Sequence, residues 1–178
     1  SSALNPLLSS VELNELDLFL LFGEWKMAEK WVAQQRKVMG DDPYFSFAAA
    51  RLMMERGAIA ESYREVRRLI NRIDRRSLAL APREVMQLIY PRPYWKWVQK
   101  VAADHEIDPY FMLALIRQES TFDDQIVSPA GAIGLGQIMP ATGRILAEQS
   151  SIQPFRTEML RNPLFSIKLS ALYLGNLW

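Results

Sequence analysis

The chain has 178 residues, 49% of them hydrophobic and 23% charged, with a formal net charge of +1. That length suffices for one domain or two small ones, and the near-zero charge gives no long-range steering toward a polyanion such as nucleic acid. There is no cysteine and a single histidine, His105. Disulfides, thiol catalysis, Cys-based metal sites and a multi-histidine metal centre are thereby excluded within the chain, and no cofactor or metal is implied.

No apolar run reaches the about 20 residues that cross a bilayer. The start, Ser1-Ser2-Ala3-Leu4-Asn5-Pro6, has neither an initiating Met nor the charged start and apolar core of a signal peptide, so the chain reads as a mature or excised piece. Absence of cysteine fits cytosol and periplasm equally.

Residues 11–22 set Val11, Leu13, Leu16, Leu18, Leu20 and Leu21 among acidic residues in a helix-compatible pattern that stops at Gly23. Residues 25–38 follow with Trp25, Ala28, Trp31, Val32 and Val38 mainly three and four apart. Gly40-Asp41-Asp42-Pro43 is a turn into a third helix, 44–55, whose Ala48, Ala49 and Ala50 permit close helix–helix approach. Gly57 ends it, and 59–72 form a fourth. The spacing from Gly23 to Gly57 matches the period of helical-hairpin repeats; four unrelated helices in a bundle remain the alternative. Arg64, Arg67, Arg68, Arg72 and Arg75 approximate one helix face, read as a solvated face with Glu65 and Asp74 nearby rather than as a nucleic-acid surface.

The stretch before Pro82 is the candidate junction, dividing a helical-hairpin region at 1–80 from a second domain at 81–178. A short helix over 83–89 ends before Tyr90-Pro91-Arg92-Pro93, and 94–105 make the next, with His105 at its end as a dipole-favoured helix terminus. Asp108 and Pro109 cap and open a helix whose stretch Phe111 to Ile116 is apolar all round, which predicts burial. Further helices are expected at 141–149 and from Asn162-Pro163 onward. The one extended candidate, 132–137, is rich in glycine and reads as a loop or a very short ribbon.

Glu119 lies at the end of that apolar helix. The negative end of the helix dipole and partial burial would both favour its neutral form, as a general acid requires. The competing reading is a solvated Glu, or one paired with Arg117. Gly131, Gly134 and Gly136 allow close backbone approach to a ligand or mark plain tight turns. Gln137 offers donor and acceptor to sugar hydroxyls or acetamido groups, and Met139 fills irregular apolar contacts. Asp123 and Asp124 are the nearest candidates for a second carboxylate, and they equally fit turn and cap roles. Tyr90, Tyr94, Trp95 and Trp97 suit either stacking on sugar rings or packing.

The segments ALIRQES, SPAGAIGLGQIMPAT and NPLFSIKLSALYLGNL, together with Tyr90-Pro91, resemble the catalytic domain of soluble lytic transglycosylases over about residues 90–178. The N-terminal half resembles the superhelical linker region of the large soluble members. The resemblance implies an all-α protein: a helical-hairpin, superhelical linker-like region followed by a lysozyme-like α domain acting on peptidoglycan glycan strands in the periplasm or cell envelope. It implies cleavage between N-acetylmuramic acid and N-acetylglucosamine without water. Glu119 would serve as acid and then as base on the muramyl C6 hydroxyl, giving 1,6-anhydro ends, with the substrate's acetamido group in place of a second carboxylate. By position Ser128, Gln137 and Met139 match substrate-contacting residues, Gly134 is expected to bind substrate with them, and Ser120 is a structural helper. Cell-wall protein partners are not specified by the resemblance. Two departures stand out. Gly136 occupies the place where the family usually has Met. The Ala-Tyr-Asn segment, whose Tyr bonds the catalytic Glu, does not occur in this sequence, and its absence from the protein would weaken activity. A lysozyme-type hydrolase and a non-catalytic glycan-binding or docking module are the alternative readings.

Overall fold

The structure, a computed structural model, describes residues 15–16, 18–19, 22–40, 42–71, 78 and 80–176. Most of the helix expected over 11–22, the arginines Arg72 and Arg75 and much of the junction before Pro82 lie outside the described residues. Eight α-helices and one 3₁₀ helix are present among the described residues: α1 (Trp25–Met39), α2 (Pro43–Glu55), α3 (Ile59–Ile70), α4 (Arg83–Ile89), α5 (Trp95–Asp104), α6 (Pro109–Ser120), α7 (Pro140–Gln149), the 3₁₀ helix Thr157–Arg161, and α8 (Pro163–Gly175). None of them is long and apolar enough to cross a membrane.

The chain divides into two compact units, Ser1–Pro91 and Arg92–Trp178. In the first, α2 packs on α1 and α3, and α4 packs on α2 and α3. The three alanines of α2 carry this arrangement: Ala48 and Ala49 face Leu16, Trp31 and Phe45, while Ala50 lies with Val66, Leu88 and Ile89. Methyl-sized side chains let the neighbouring helices come close, which is what their clustering in the sequence calls for. α2 ends at Gly57 (φ 78°), whose left-handed backbone reverses the chain at little steric cost. Glu65 departs from expectation. It is 4% exposed rather than part of a solvated face. Arg36 of α1 and Arg68 of α3 both pair with its carboxylate, and Arg36 also donates to Ser46 Oγ at 3.1 Å. An unpaired carboxylate at that depth would be costly, so the two arginines are what makes its burial tolerable.

In the second unit α5 packs on α6 and α8, and α8 also packs on α7 and the 3₁₀ helix. Ile133, Ile138, Leu146, Leu160 and Leu169 form its central cluster, bordered by Phe155, Phe165 and Leu172. The helix starts follow the local chemistry. Asp108 Oδ1 accepts from the Tyr110 N–H at 2.7 Å ahead of Pro109, and Asn162 Oδ1 accepts from the Phe165 N–H at 3.1 Å ahead of Pro163. α6 is not buried all round as its apolar run predicts. Met112, Leu113 and Ile116 are buried, while Phe111 is 48% exposed. An apolar run on a helix that packs on one side only leaves its other side in water.

Candidate active site

α6 ends where Thr121 (φ 55°) and Phe122 (φ 63°) turn the chain, and Phe122 buries its ring. The segment from there to Pro140 is a loop organised by Ile133, which bridges antiparallel to both Val127 and Ile138. Ile133 and Ile138 exchange both backbone hydrogen bonds at 3.1 Å. Residues 134–137 are therefore a tight turn between single bridges rather than a strand. Gly134 and Gln137 both adopt positive φ, at 74° and 47°.

Gly134 is required for a second reason. A Cβ there would stand 2.1 Å from the Leu160 carbonyl oxygen, so the glycine serves the approach of the loop to the 3₁₀ helix. This differs from its expected place on the ligand-facing wall. Ser128 likewise has a local task. Its Oγ accepts from the Ala132 N–H at 3.0 Å, and its carbonyl accepts from the Gly131 N–H at 2.9 Å, which closes the turn at 128–131.

Beside this loop lies a cleft of about 220 Å³. α6 contributes Leu115 and Glu119, and the loop contributes Gly136, Gln137, Ile138 and Met139. Thr142 of α7 and Ser170, Tyr173 and Leu174 of α8 complete it. Three of the five expected site residues, Glu119, Gln137 and Met139, are thus brought to one cleft; Ser128 and Gly134 are not among its lining. Glu119 is the one carboxylate among its described lining residues. The carboxyl group is exposed rather than partly buried, and it makes no hydrogen bond or ion pair with a described residue, Arg117 included. Ser120, next in sequence, points inward, 1% exposed, and its Oγ donates to the Ile116 carbonyl at 2.9 Å. That bond pins the last turn of α6 and so fixes where Glu119 projects. Gln137 donates from Nε2 to the Gly134 carbonyl at 3.0 Å, holding its own turn closed.

Asp123 and Asp124 supply no second acid to the cleft. Asp123 Oδ1 accepts from the Gln125 N–H and Asp124 Oδ1 from the Gln125 side chain, both at 3.0 Å, as turn residues do. The aromatics near the start of the unit engage one another. Tyr94 stacks on Trp97 with centroids 5.8 Å apart, and Trp95 packs against Tyr110 at 5.1 Å with Arg92 over its ring. Burial, with the Asp124 carboxylate as a lesser cause, pushes the Tyr94 phenol up to about 12. Among the described residues no group of three His, Cys, Asp or Glu is placed to hold a metal ion.

Sequence reading missed Leu115, Thr142, Ser170 and Tyr173. Ser166, Ser170 and Tyr173 recur at three- and four-residue steps along a helix that is otherwise apolar apart from Lys168, which was the available signal that one face of α8 meets something other than the core.

Residues 96–178 match the family described as the Transglycosylase SLT domain. The matched residues make up just under half of the chain. The chain is similar to curated relatives over about half of its length. It is 31% identical over 86 residues to the soluble lytic murein transglycosylase of Escherichia coli K12, covering 48% of this chain and 13% of that protein. It is 38% identical over 87 residues to the membrane-bound lytic murein transglycosylase C of Actinobacillus pleuropneumoniae serotype 5b, covering 47% and 24%. Solved structures share the fold over nearly the whole chain. The 70-kDa soluble lytic transglycosylase of E. coli superimposes with a TM-score of 0.64 at 20% identity, covering 99% of this chain and 26% of that one. An inactive mutant of the lytic transglycosylase Slt from Pseudomonas aeruginosa gives 0.63 at 21%, covering 98% and 26%. The all-α class, with a lysozyme-like second part, is therefore the observed one. The chain spans about a quarter or less of the length of these relatives.

Proposed function

We propose that the chain is the catalytic part of a peptidoglycan lytic transglycosylase, a lyase of the cell envelope that acts on glycan strands. The observation that carries this reading is a cleft whose described lining holds one carboxylate, Glu119, together with Gln137–Met139 of the loop in the SLT-matched segment. Glu119 protonates the oxygen between N-acetylmuramic acid and N-acetylglucosamine. The scissile C1–O bond breaks, and the N-acetyl group of the muramyl residue supports the cationic carbon, the substrate-assisted route that dispenses with a second carboxylate. Glu119, now an anion, takes the proton of the muramyl C6 hydroxyl as that oxygen closes on C1. The result is a 1,6-anhydro end with the enzyme's proton restored.

In this proposal Gln137 and Met139 contact the strand, while Ser128 and Gly134 act through the loop they close. The first unit, through Pro91, is a linker-like array of helical hairpins that takes in α4 beyond the junction expected before Pro82, and Arg92–Trp178 carry the chemistry. The relatives' names, which include soluble and membrane-bound murein transglycosylases, support the substrate class and an envelope location.

The test is Glu119→Gln assayed on purified peptidoglycan with product masses recorded. The variant keeps the size of the side chain and loses the proton, so turnover should fall by about 10²–10⁴-fold while the thermal midpoint stays within a degree or two of the parent. Parent products ending in reducing muramic acid rather than the anhydro form would replace this reading with hydrolysis.

A further inference from the structure

Gly136 lines the cleft directly before Gln137. Its backbone does not call for glycine, because its φ is outside the left-handed region that Gly131 and Gly134 occupy. Space does. A Cβ at 136 would stand 1.9 Å from Ser170 Oγ and 3.2 Å from Ser170 Cβ. Rotating the hydroxyl away would relieve the first contact and leave the second tight.

Ser170 is 3% exposed, and its Oγ is buried without a hydrogen-bond partner. It stands apart from the other buried serines in this respect. Ser46 accepts from Arg36, Ser62 donates to the Ala50 carbonyl, Ser120 donates to the Ile116 carbonyl, and Ser166 accepts from the Gly136 N–H at 3.1 Å. The Ser170 hydroxyl therefore adds no bond to the fold; what it adds is volume, in the place that a side chain at 136 would fill. One turn earlier on α8, Ser166 holds the same glycine by its backbone. Two serines of one helix face thus grip one residue of the loop, the first through its N–H and the second through the space beside its Cα.

The geometry points to Ser170 as a positioning residue for the ligand-facing loop, set as a pair with Gly136: the hydroxymethyl group at 170 seats residue 136, and through it Gln137 and Met139, at the depth where they face Glu119. The inference rests on the proposed function for what those side chains contact. A side chain at 136 pushes the turn outward and moves the glycan-contacting wall, while Glu119, held by α6, stays in place. The defect is one of binding more than of chemistry, and a smaller residue at 170 repairs it.

The experiment compares the parent chain, Gly136→Ala, Ser170→Gly and the double variant. KM and kcat are read on solubilised peptidoglycan, with affinity for tri-N-acetylchitotriose measured by calorimetry and folding followed by thermal melts. Gly136→Ala should raise KM and the saccharide Kd by about tenfold with kcat within about threefold, and the double variant should return to within about threefold of Ser170→Gly alone. If Gly136→Ala does not fold, recovery of folding and saccharide binding in the double variant supports the pair, and failure of both variants to fold overturns it. The inference is also overturned by a folded Gly136→Ala that matches the parent in KM and Kd, or by a folded double variant no better than Gly136→Ala. A parent with no more turnover than Glu119→Gln removes the proposed reaction, and the pair is then judged on saccharide affinity. A parent with neither turnover nor affinity removes both.

Discussion

Glu119 stands in water at the edge of its cleft, and Ser120 beside it is sealed in the core. The pair shows how one helix end can aim a carboxylate outward while the next residue anchors the turn. Tyr94 gives the residue scale its pH signature. Its phenol, raised to about 12 mainly by burial, holds its proton in the folded chain above the pH where the unfolded chain releases it. Between about pH 10 and 12 the unfolded state therefore binds fewer protons, and stability falls as pH rises. After discounting for partial solvent screening, the loss is of order 1–2 kcal/mol. Denaturant melts from pH 9 to 12 should show it, and Tyr94→Phe should flatten that part of the profile. A parallel decline in parent and variant would remove Tyr94 as its source.

Helices α6 and α8 are each opened by a capping side chain and a proline at the first position, and each delivers one wall of the cleft. Asp108→Ala removes the acceptor that serves the Tyr110 N–H, and the expected cost is about 1 kcal/mol. Because the cap lies at the far end of α6 from Glu119, kcat should remain within about twofold under conditions where the variant is folded. Denaturant titration and steady-state kinetics check the two halves of this statement. A stability loss below about 0.3 kcal/mol would show that the exposed cap contributes little. These element boundaries were legible because a cap, a proline or a glycine acts within a few residues of itself. The outward side of α6 was not legible. Phe111 reads as core in any pattern of apolar residues, and only the number of neighbouring elements decides that it is exposed. The same limit applies to Glu65, whose burial depends on arginines from two different helices.

At the scale of the whole molecule, each compact unit encloses its own buried cluster, built on Phe45 and the α2 alanines in one and on Leu160, Leu169 and the loop isoleucines in the other. Phe45 is 2% exposed, and Phe45→Ala should cost about 3–5 kcal/mol by leaving a cavity. That loss should fall on the first unit, so tri-N-acetylchitotriose affinity should be retained wherever the second unit remains folded. Urea melts followed by circular dichroism and by saccharide binding would separate the two, and loss of binding in step with the first unit would contradict the expectation.

The sequence by itself determined most of the helices and their starts, the all-α class and the SLT-like motif, because helical period, capping and motif spacing are written in residues close together along the chain. The tertiary structure alone decided three further things. It left Glu119 solvated. It set Gly134 close against the Leu160 carbonyl. It set Gly136 against Ser170, two residues from different elements whose contact depends on how α8 packs beneath the loop. Burial and close approach are properties of which elements meet, and a linear pattern carries the faces of the elements without their partners.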